Sequence, residues 1–324
     1  MLSFLSHVSV APTWLWVSFT IGILILLAID LSLFGKAGQK VSSRKALVES
    51  AIWVAVALLF NAWFALNYGS ELGLEFLTGY LVEKSLSVDN LFVILLIFSS
   101  FKIPDGYQHR VLFYGVLGAI VLRATFILVG AHLLHRFHWI LFIFGIILLV
   151  TAVKFLFETD EKIDAKENWA LRILRRVMPI SNGQVTGHFF VREDGIRKAT
   201  PLFLALVVIE ATDLVFAVDS IPAVFAVTQD AFVAYSSNIL AVLGLRALYF
   251  VIADWVGKLR YLKPGLAAIL GFIGIKMLVS EIFKIPSWIS LLVIFSILTT
   301  AGLSSWYVAR VEAKRKEKTD PFAS

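Results

Sequence analysis

Apolar residues fill this chain in long continuous blocks, separated by short polar segments rich in lysine and arginine. The blocks lack the alternating ten-residue pattern of a barrel strand, and several exceed the roughly 20 residues that cross a bilayer. The pattern predicts nine helices, over about 13–34, 45–67, 74–101, 110–132, 139–157, 200–227, 232–254, 264–283 and 287–308. It divides the chain into two peripheral N-terminal helices (1–68), a three-helix unit (69–157), a basic loop (158–199), a second three-helix unit (200–283) and a last helix with a basic tail (284–324). The loop carries SNG and EDG turn signals. Its stretch 166–177, KENWALRILRRV, reads either as a basic amphipathic helix on the membrane surface or as a solvated linker with a helical piece.

Composition strengthens the membrane reading. The 324 residues are 59% hydrophobic and 16% charged, where a soluble chain carries about 25% charged residues. Mean hydropathy is +0.85. The expected class is an all-α polytopic membrane protein. Residues 1–12 hold no basic segment, so the first apolar block is expected to stay as a span. The lack of cysteine excludes disulfides, thiolate metal sites and thiol redox chemistry within the chain. The net charge of +6 sits mostly in loops and reads as orientation, not as nucleic-acid binding. With the amino terminus outside, the inner segments collect Lys36, Lys40, Arg44, Lys45, Lys102 and Arg110, the basic residues of 158–199, then Lys258, Arg260, Lys263 and those of the tail. Only Arg136 and Lys284 fall outside. The asymmetry predicts a cytoplasmic carboxyl terminus.

Two segments echo each other. Val88-Asp89-Asn90-Leu91 resembles Val218-Asp219-Ser220-Ile221, each downstream of a glutamate, Glu83 and Glu210. Leu122-Arg123-Ala124 lines up with Leu245-Arg246-Ala247, and Lys154 and Glu158 with Lys276 and Glu281. Helices 3–5 and 6–8 therefore read as two copies of one unit. Because three is odd, the copies would sit upside down relative to each other, as in secondary transporters.

The unusual chemistry lies on the first helix of each copy. Glu83 and Asp89, about 9 Å apart along a helix, and Glu210, Asp213 and Asp219 fall inside apolar blocks. Each such carboxylate costs about 3 kcal/mol or more on insertion scales, so a compensating role or a wet cavity is expected. Glu210 and Asp213 share a helix face. Glu210 and Asp219 lie about 180° apart on a straight helix. Pro222 is expected to open the helix near 218–222 and re-aim Asp219. These five acids against Lys84, Arg123 and Arg246 leave two negative charges, which one divalent cation neutralises and protons also relieve. An acid that exchanges a proton for a metal is the physical basis of antiport. With Asn90, the hydroxyls of Ser85, Ser87, Thr212 and Ser220, and freed carbonyls, the donors are hard oxygens that suit Mn²⁺, Mg²⁺ or Ca²⁺. Lys84, Arg123 and Arg246 read as structural counter-ions; the simpler alternative is that Glu83 and Asp89 only pair with Arg123, and Glu210 or Asp213 with Arg246.

Other candidates are weaker. His132, His135 and His138 have helical spacing beside Trp139 and read more readily as anchoring than as metal capture. Asp30 and Asn61 either reach the cavity or bond nearby backbone. Lys154 and Lys276, at helix ends, can snorkel to water. No GxGD motif of an intramembrane aspartyl protease is present.

EKSLSVDNLFVILLIFSSFKIP (83–104) and VVIEATDLVFAVDSIPAVFAVTQD (207–230), with YGVLGAIVLRATF and NILAVLGLRALYF, resemble the TerC family of bacterial membrane proteins, near its Alx-like branch. The likeness runs through helices 2–9, with both acidic motifs in order. It implies a multi-pass inner-membrane protein linked to Mn²⁺ export and to tellurite and alkaline-pH responses. It also implies Glu83, Asp89, Asn90, Glu210, Asp213 and Asp219 as the metal residues. The expected activity is not enzymatic: no permanently bound cofactor, a transported divalent cation, and lipid as partner. Self-association or a link to exported-protein machinery stays open. The alternatives are an accessory protein that loads metal into exported proteins, or a stress-response membrane protein without transport.

Overall fold

The computed structural model describes residues 9–34, 43–137, 139–157, 169–181, 187–193, 195–253, 261–280, 282–283 and 285–319. The side chains of residues 31–34, 43, 89, 175, 262 and 312–319 fall outside that description. The helices are α1 (Thr13–Phe34), α2 (Ser43–Tyr68), α3 (Ser70–Ser100), α4 (Asp105–Arg136), α5 (Ile140–Phe157), α6 (Trp169–Val177), α7 (Pro201–Phe225), α8 (Ala231–Leu243), α9 (Leu245–Ala253), α10 (Leu262–Leu278) and α11 (Ser287–Thr319). One antiparallel hairpin, β1 (Phe190–Glu193) with β2 (Ile196–Ala199), lies between α6 and α7. Its turn is the EDG signal, with Gly195 at φ 79°.

Local chemistry sets the ends. Gly69, at φ 108°, is the single residue between α2 and α3, a conformation that favours glycine. The α3 carboxyl end closes with a Schellman pattern: Ile103 N–H donates to the Phe98 carbonyl at 2.9 Å and Lys102 N–H to that of Ser99 at 3.1 Å. Pro104 then blocks continuation. Pro201 opens α7, where its missing N–H costs nothing. The Asp230 carboxylate caps α8 by accepting from Phe232 and Val233 N–H at 2.8 and 2.9 Å.

Among the described residues a helix covers most of each expected range, but ends differ: α11 runs on to Thr319, past the expected 308, and α10 stops at Leu278, short of 283. The expected helix 232–254 is two pieces, α8 and α9, bent by 42° around Gly244. By length and composition, six helices can cross a membrane, or seven if that bent pair counts as one span. The chain is thus an all-helical, multi-pass membrane protein with a small extramembrane hairpin. Of the other three, α3 carries Glu71, Glu75, Glu83, Lys84 and Asp89 within its 31 residues, α10 has 17 residues and α6 has 9.

Every residue of α8 is buried. Around it, α3 packs along α8 as α4 packs along α7, and α5 lies against α10. The α5–α10 crossing brings backbones together: a Cβ on Gly274 would stand 3.0 Å from the Gly145 carbonyl, and one on Gly145 3.2 Å from that of Gly274. Small residues permit such approach between membrane helices. Leu59, Leu66, Ile146, Val150, Phe295 and Leu303 face outward. Apolar faces this extensive fit lipid and would not stay exposed in water.

Candidate functional site

Arg123 of α4 is fully buried and joins three other helices. Its Nη1 donates to Glu83 Oε1 of α3, and to Asn238 Oδ1 of α8 at 3.3 Å. Its Nε and Nη2 donate to the two carboxylate oxygens of Asp213 on α7, at 3.3 and 2.9 Å. Glu83 also accepts from Asn238 Nδ2 at 2.8 Å and from Ser87 Oγ at 3.2 Å. One guanidinium thus serves two buried carboxylates. Bidentate pairing of this kind suits arginine over lysine. Glu83 and Asp213 stand at the sequence interval that separates Val88-Asp89-Asn90 from Val218-Asp219-Ser220. The bridged acids are therefore equivalent positions of the two echoing segments, which makes Asp213, not Glu210, the counterpart of Glu83.

Glu83 is fully enclosed, whereas 15% of the Asp213 side chain is open. It opens onto a cavity with about 40 Å³ of space for water centres, lined on its polar side by Asn90, Thr212, Asp213 and Arg246 and floored by Gly115. That is room for a few waters. The break between α8 and α9 forms one wall, through Val242 and Leu245. Lys84 supports the break by donating from Nζ to the Ala241 carbonyl at 3.0 Å, an acceptor that lies beside the bend at Gly244. Lys84 is therefore tied to backbone beside Glu83, without an acid as hydrogen-bonded partner among the described residues.

Several expectations need correction. Arg246 pairs with neither Glu210 nor Asp213. Its Nη2 donates to Asp30 of α1 at 2.8 Å and to Glu49 of α2 at 2.6 Å. Helix α7 continues through Pro222 without interruption. The proline falls in the last turn and removes one bond, while buried packing over Ser220–Phe225 holds the segment. Asp219 is consequently not re-aimed. It accepts from Thr151 Oγ1 of α5 at 2.7 Å, about 240° around the helix from Asp213. Glu210 lies directly against Gly118, where a Cβ would collide with its carboxylate, and among the described residues nothing hydrogen bonds to it. The Asp89 side chain lies outside the described residues, and with it both its expected metal role and the alternative of pairing with Arg123. Among those residues no group of three or more His, Asp or Glu is placed to hold a metal ion. Of the six expected metal residues, Glu83 and Asp213 meet on Arg123, Asn90 and Asp213 line the cavity, Glu210 and Asp219 lie elsewhere, and the Asp89 side chain lies outside the described residues.

His132 and His135 are exposed on α4 and His138 lies outside the described residues. Lys276 sits in the last turn of α10, as expected. Asn61 faces α3 near Gly73.

The family model described as integral membrane protein TerC family matches residues 68–313. This chain belongs to the TerC family. Among TerC relatives, the protein of Salmonella typhi named Alx, described as a candidate membrane-bound redox modulator, is 46% identical over 308 residues, covering 92% of this chain and 96% of that one. The Alx protein of Escherichia coli K12 is 44% identical over 317 residues, covering 95% and 99%. An uncharacterized membrane protein of Myxococcus xanthus is 45% identical over 302 residues, covering 93% and 95%. No solved structure matches.

Sequence reasoning passed over three residues of this TerC site. Asn238, which fills the fourth corner of the Arg123 cluster, was visible as a lone amide in the apolar run YSSNILAVLG. Glu49, near the start of an apolar block, carries no sequence signal that sets it apart from an ordinary charge at a helix end. Gly244 was legible only as a glycine inside a helical pattern, a weak sign of a break.

Proposed function

We propose that this TerC chain is a secondary transporter that exports a hard divalent cation, Mn²⁺ foremost, in exchange for protons, with its amino terminus outside the bacterial inner membrane. The observation that carries the reading is the Asp213 carboxylate, divided between a buried arginine and a small, mostly apolar cavity with one polar side at a broken helix. Asp213, Asn90 and Thr212 offer hard oxygen donors there, with Asp89 next in sequence to Asn90. Glu83 acts one step removed: it retains Arg123 when a cation takes Asp213, so Arg123 serves as a tethered counter-ion that cargo displaces. Glu210 and Asp219 belong to the pathway on either side of the cavity. The two three-helix units, 69–157 and 200–283, act as inverted repeats. Their echoing motifs support this, as does a packing pattern that survives exchange of α3–α5 with α7–α10. A discontinuous helix at the site fits the same class.

Proteoliposomes holding the purified protein provide the test. Wild type should move Mn²⁺ against an imposed pH gradient, and Asp213→Asn should slow it by about tenfold or more, since a neutral amide is a poor ligand for a hard cation. Metal binds the ionised carboxylate, so apparent affinity should rise with pH to a plateau and binding should release protons. Affinity independent of pH, with no proton release, would leave a uniporter. The name given to the Alx relatives favours a second reading, a membrane protein that supports redox balance. Without cysteine the chain would do so through a partner, and wild-type vesicles that move no metal would favour it.

A further inference from the structure

A second set of buried charges lies beside the cavity and has no part in holding cargo. Asp30 on α1, Glu49 on α2 and Arg246 on α9 are 7%, 5% and 4% exposed. They join the two N-terminal helices to the broken one. One nitrogen, Arg246 Nη2, donates to both acids, at 2.8 and 2.6 Å, so two buried carboxyl groups converge on a single guanidinium nitrogen.

Charge then calls for a proton. The guanidinium stays protonated, so two ionised acids would leave a net negative charge among buried groups, where unpaired charge is costly. Among the described residues, no cation besides Arg246 bonds either acid. On α4, which packs against α9, Arg123 is held by Glu83 and Asp213, Arg110 by the Gly187 carbonyl, and His109 is buried. Helix α8 carries no charged residue. On α3, the Lys84 ammonium is bonded to the Ala241 carbonyl, and the Asp89 side chain lies outside the described residues. On α2, Arg44 and Lys45 are exposed at the first turn. On α1 and α9, Asp30 and Arg246 are the only described charged side chains. Arg246 also lines the cavity with Asp213, so the same guanidinium borders both places.

We propose that Asp30 and Glu49 form a proton-binding site, held by Arg246, that exchanges its proton as the cavity fills and empties. A cation in the cavity repels the guanidinium, which moves its charge toward the two acids and expels the shared proton. Departure of the cation reverses the shift, and the pair takes a proton back. The proton is bound and released whole, and no other group is transferred. The coupling rests on the transport reading; the proton site does not.

Infrared difference spectroscopy on the full chain in detergent tests the site. Wild type should show a protonated-carboxyl band that shifts in heavy water and falls on addition of Mn²⁺. Glu49→Gln and Asp30→Asn, both close in size to the native residues, should each remove it, and Glu49→Asp should retain it. In proteoliposomes, Glu49→Gln should still exchange Mn²⁺ at equal pH but lose acceleration by a pH gradient. A band unchanged in both amide variants overturns the proposal, as does gradient-driven transport in Glu49→Gln equal to wild type. Wild-type vesicles that move no metal, with the band still lost in both variants, remove the transport reading and leave the proton site standing.

Discussion

Arg123 places one positive charge between Glu83 and Asp213, and Glu83 is enclosed with it. Removing one partner of a buried ion pair strands the other, at a cost of about 3–5 kcal/mol. Arg123→Ala should therefore lower the melting temperature in detergent far more than Arg110→Ala, whose side chain bonds a loop carbonyl at Gly187. Equal losses would count against a central role for the cluster. Gly115 gives a more specific test. It holds the sequence interval from Arg123 that Asn238 holds from Arg246. Asn238 fills its corner beside Glu83, while Gly115 leaves the cavity beside Asp213. A Cβ at Gly115 meets Ile209 at an ordinary 3.5 Å, so Gly115→Asn fits the backbone and fills the cavity. It should fold, melt no lower than wild type and bind Mn²⁺ at least about tenfold more weakly by calorimetry, a loss of about 1.4 kcal/mol. Unchanged affinity would move the cation site elsewhere. The acids were legible because charge inside an apolar block stands out. Their partners were not, because which face of a helix meets which neighbour depends on packing that a single sequence does not contain.

At the scale of elements, the apolar blocks marked the helices well because lipid demands length and continuity. Breaks were harder to read. Pro222 carries the strongest local signal of interruption, yet α7 passes through it. The bend occurs at Gly244, where Lys84 from another helix bonds the Ala241 carbonyl, a long-range bond with no local signature. The amphipathic stretch in the 158–199 loop became α6, whose Leu171 is buried while Trp169, Ile173 and Val177 form an exposed apolar stripe. Arg172 and Arg176 lie beside the stripe and are exposed too. Such a helix suits the headgroup layer, apolar side in and arginines at the phosphates. The cysteine-free chain makes the test clean. A nitroxide attached through Ile173→Cys should collide more with oxygen, which concentrates in lipid, than with a water-soluble nickel complex. The reverse order would place this face in water.

At the scale of the whole molecule, alternating access requires that contacts between the two three-helix units open in turn. The structure holds one such contact near each end of the bundle. At one end, Thr228, in the turn after α7, donates to Glu75 Oε2 of α3 at 2.6 Å. Asp230 is nearby and also accepts from Val10 N–H at 2.6 Å. At the other end, Tyr249 of α9 donates through its hydroxyl to Gln108 Oε1 of α4 at 2.9 Å, and its ring meets Phe98 edge-on at 5.6 Å. Each contact ties a residue of the first unit to one of the second, and the Arg123 cluster lies between them along the helices. If the units rock about that cluster, each end must part while the other stays closed. Covalent locks should therefore stop turnover from either end. Paired cysteines at Glu75 and Thr228, or at Gln108 and Tyr249, joined by a short bifunctional reagent, should each abolish Mn²⁺ transport, and cleaving the linker should restore it. Each lock should leave cation binding intact from the opposite face, because the unlocked end still opens. Single-cysteine controls treated with the same reagent should transport normally. Transport that persists with both locks in place would mean that the two units do not move apart at these ends, and would exclude rocking about the buried arginine as the basis of transport.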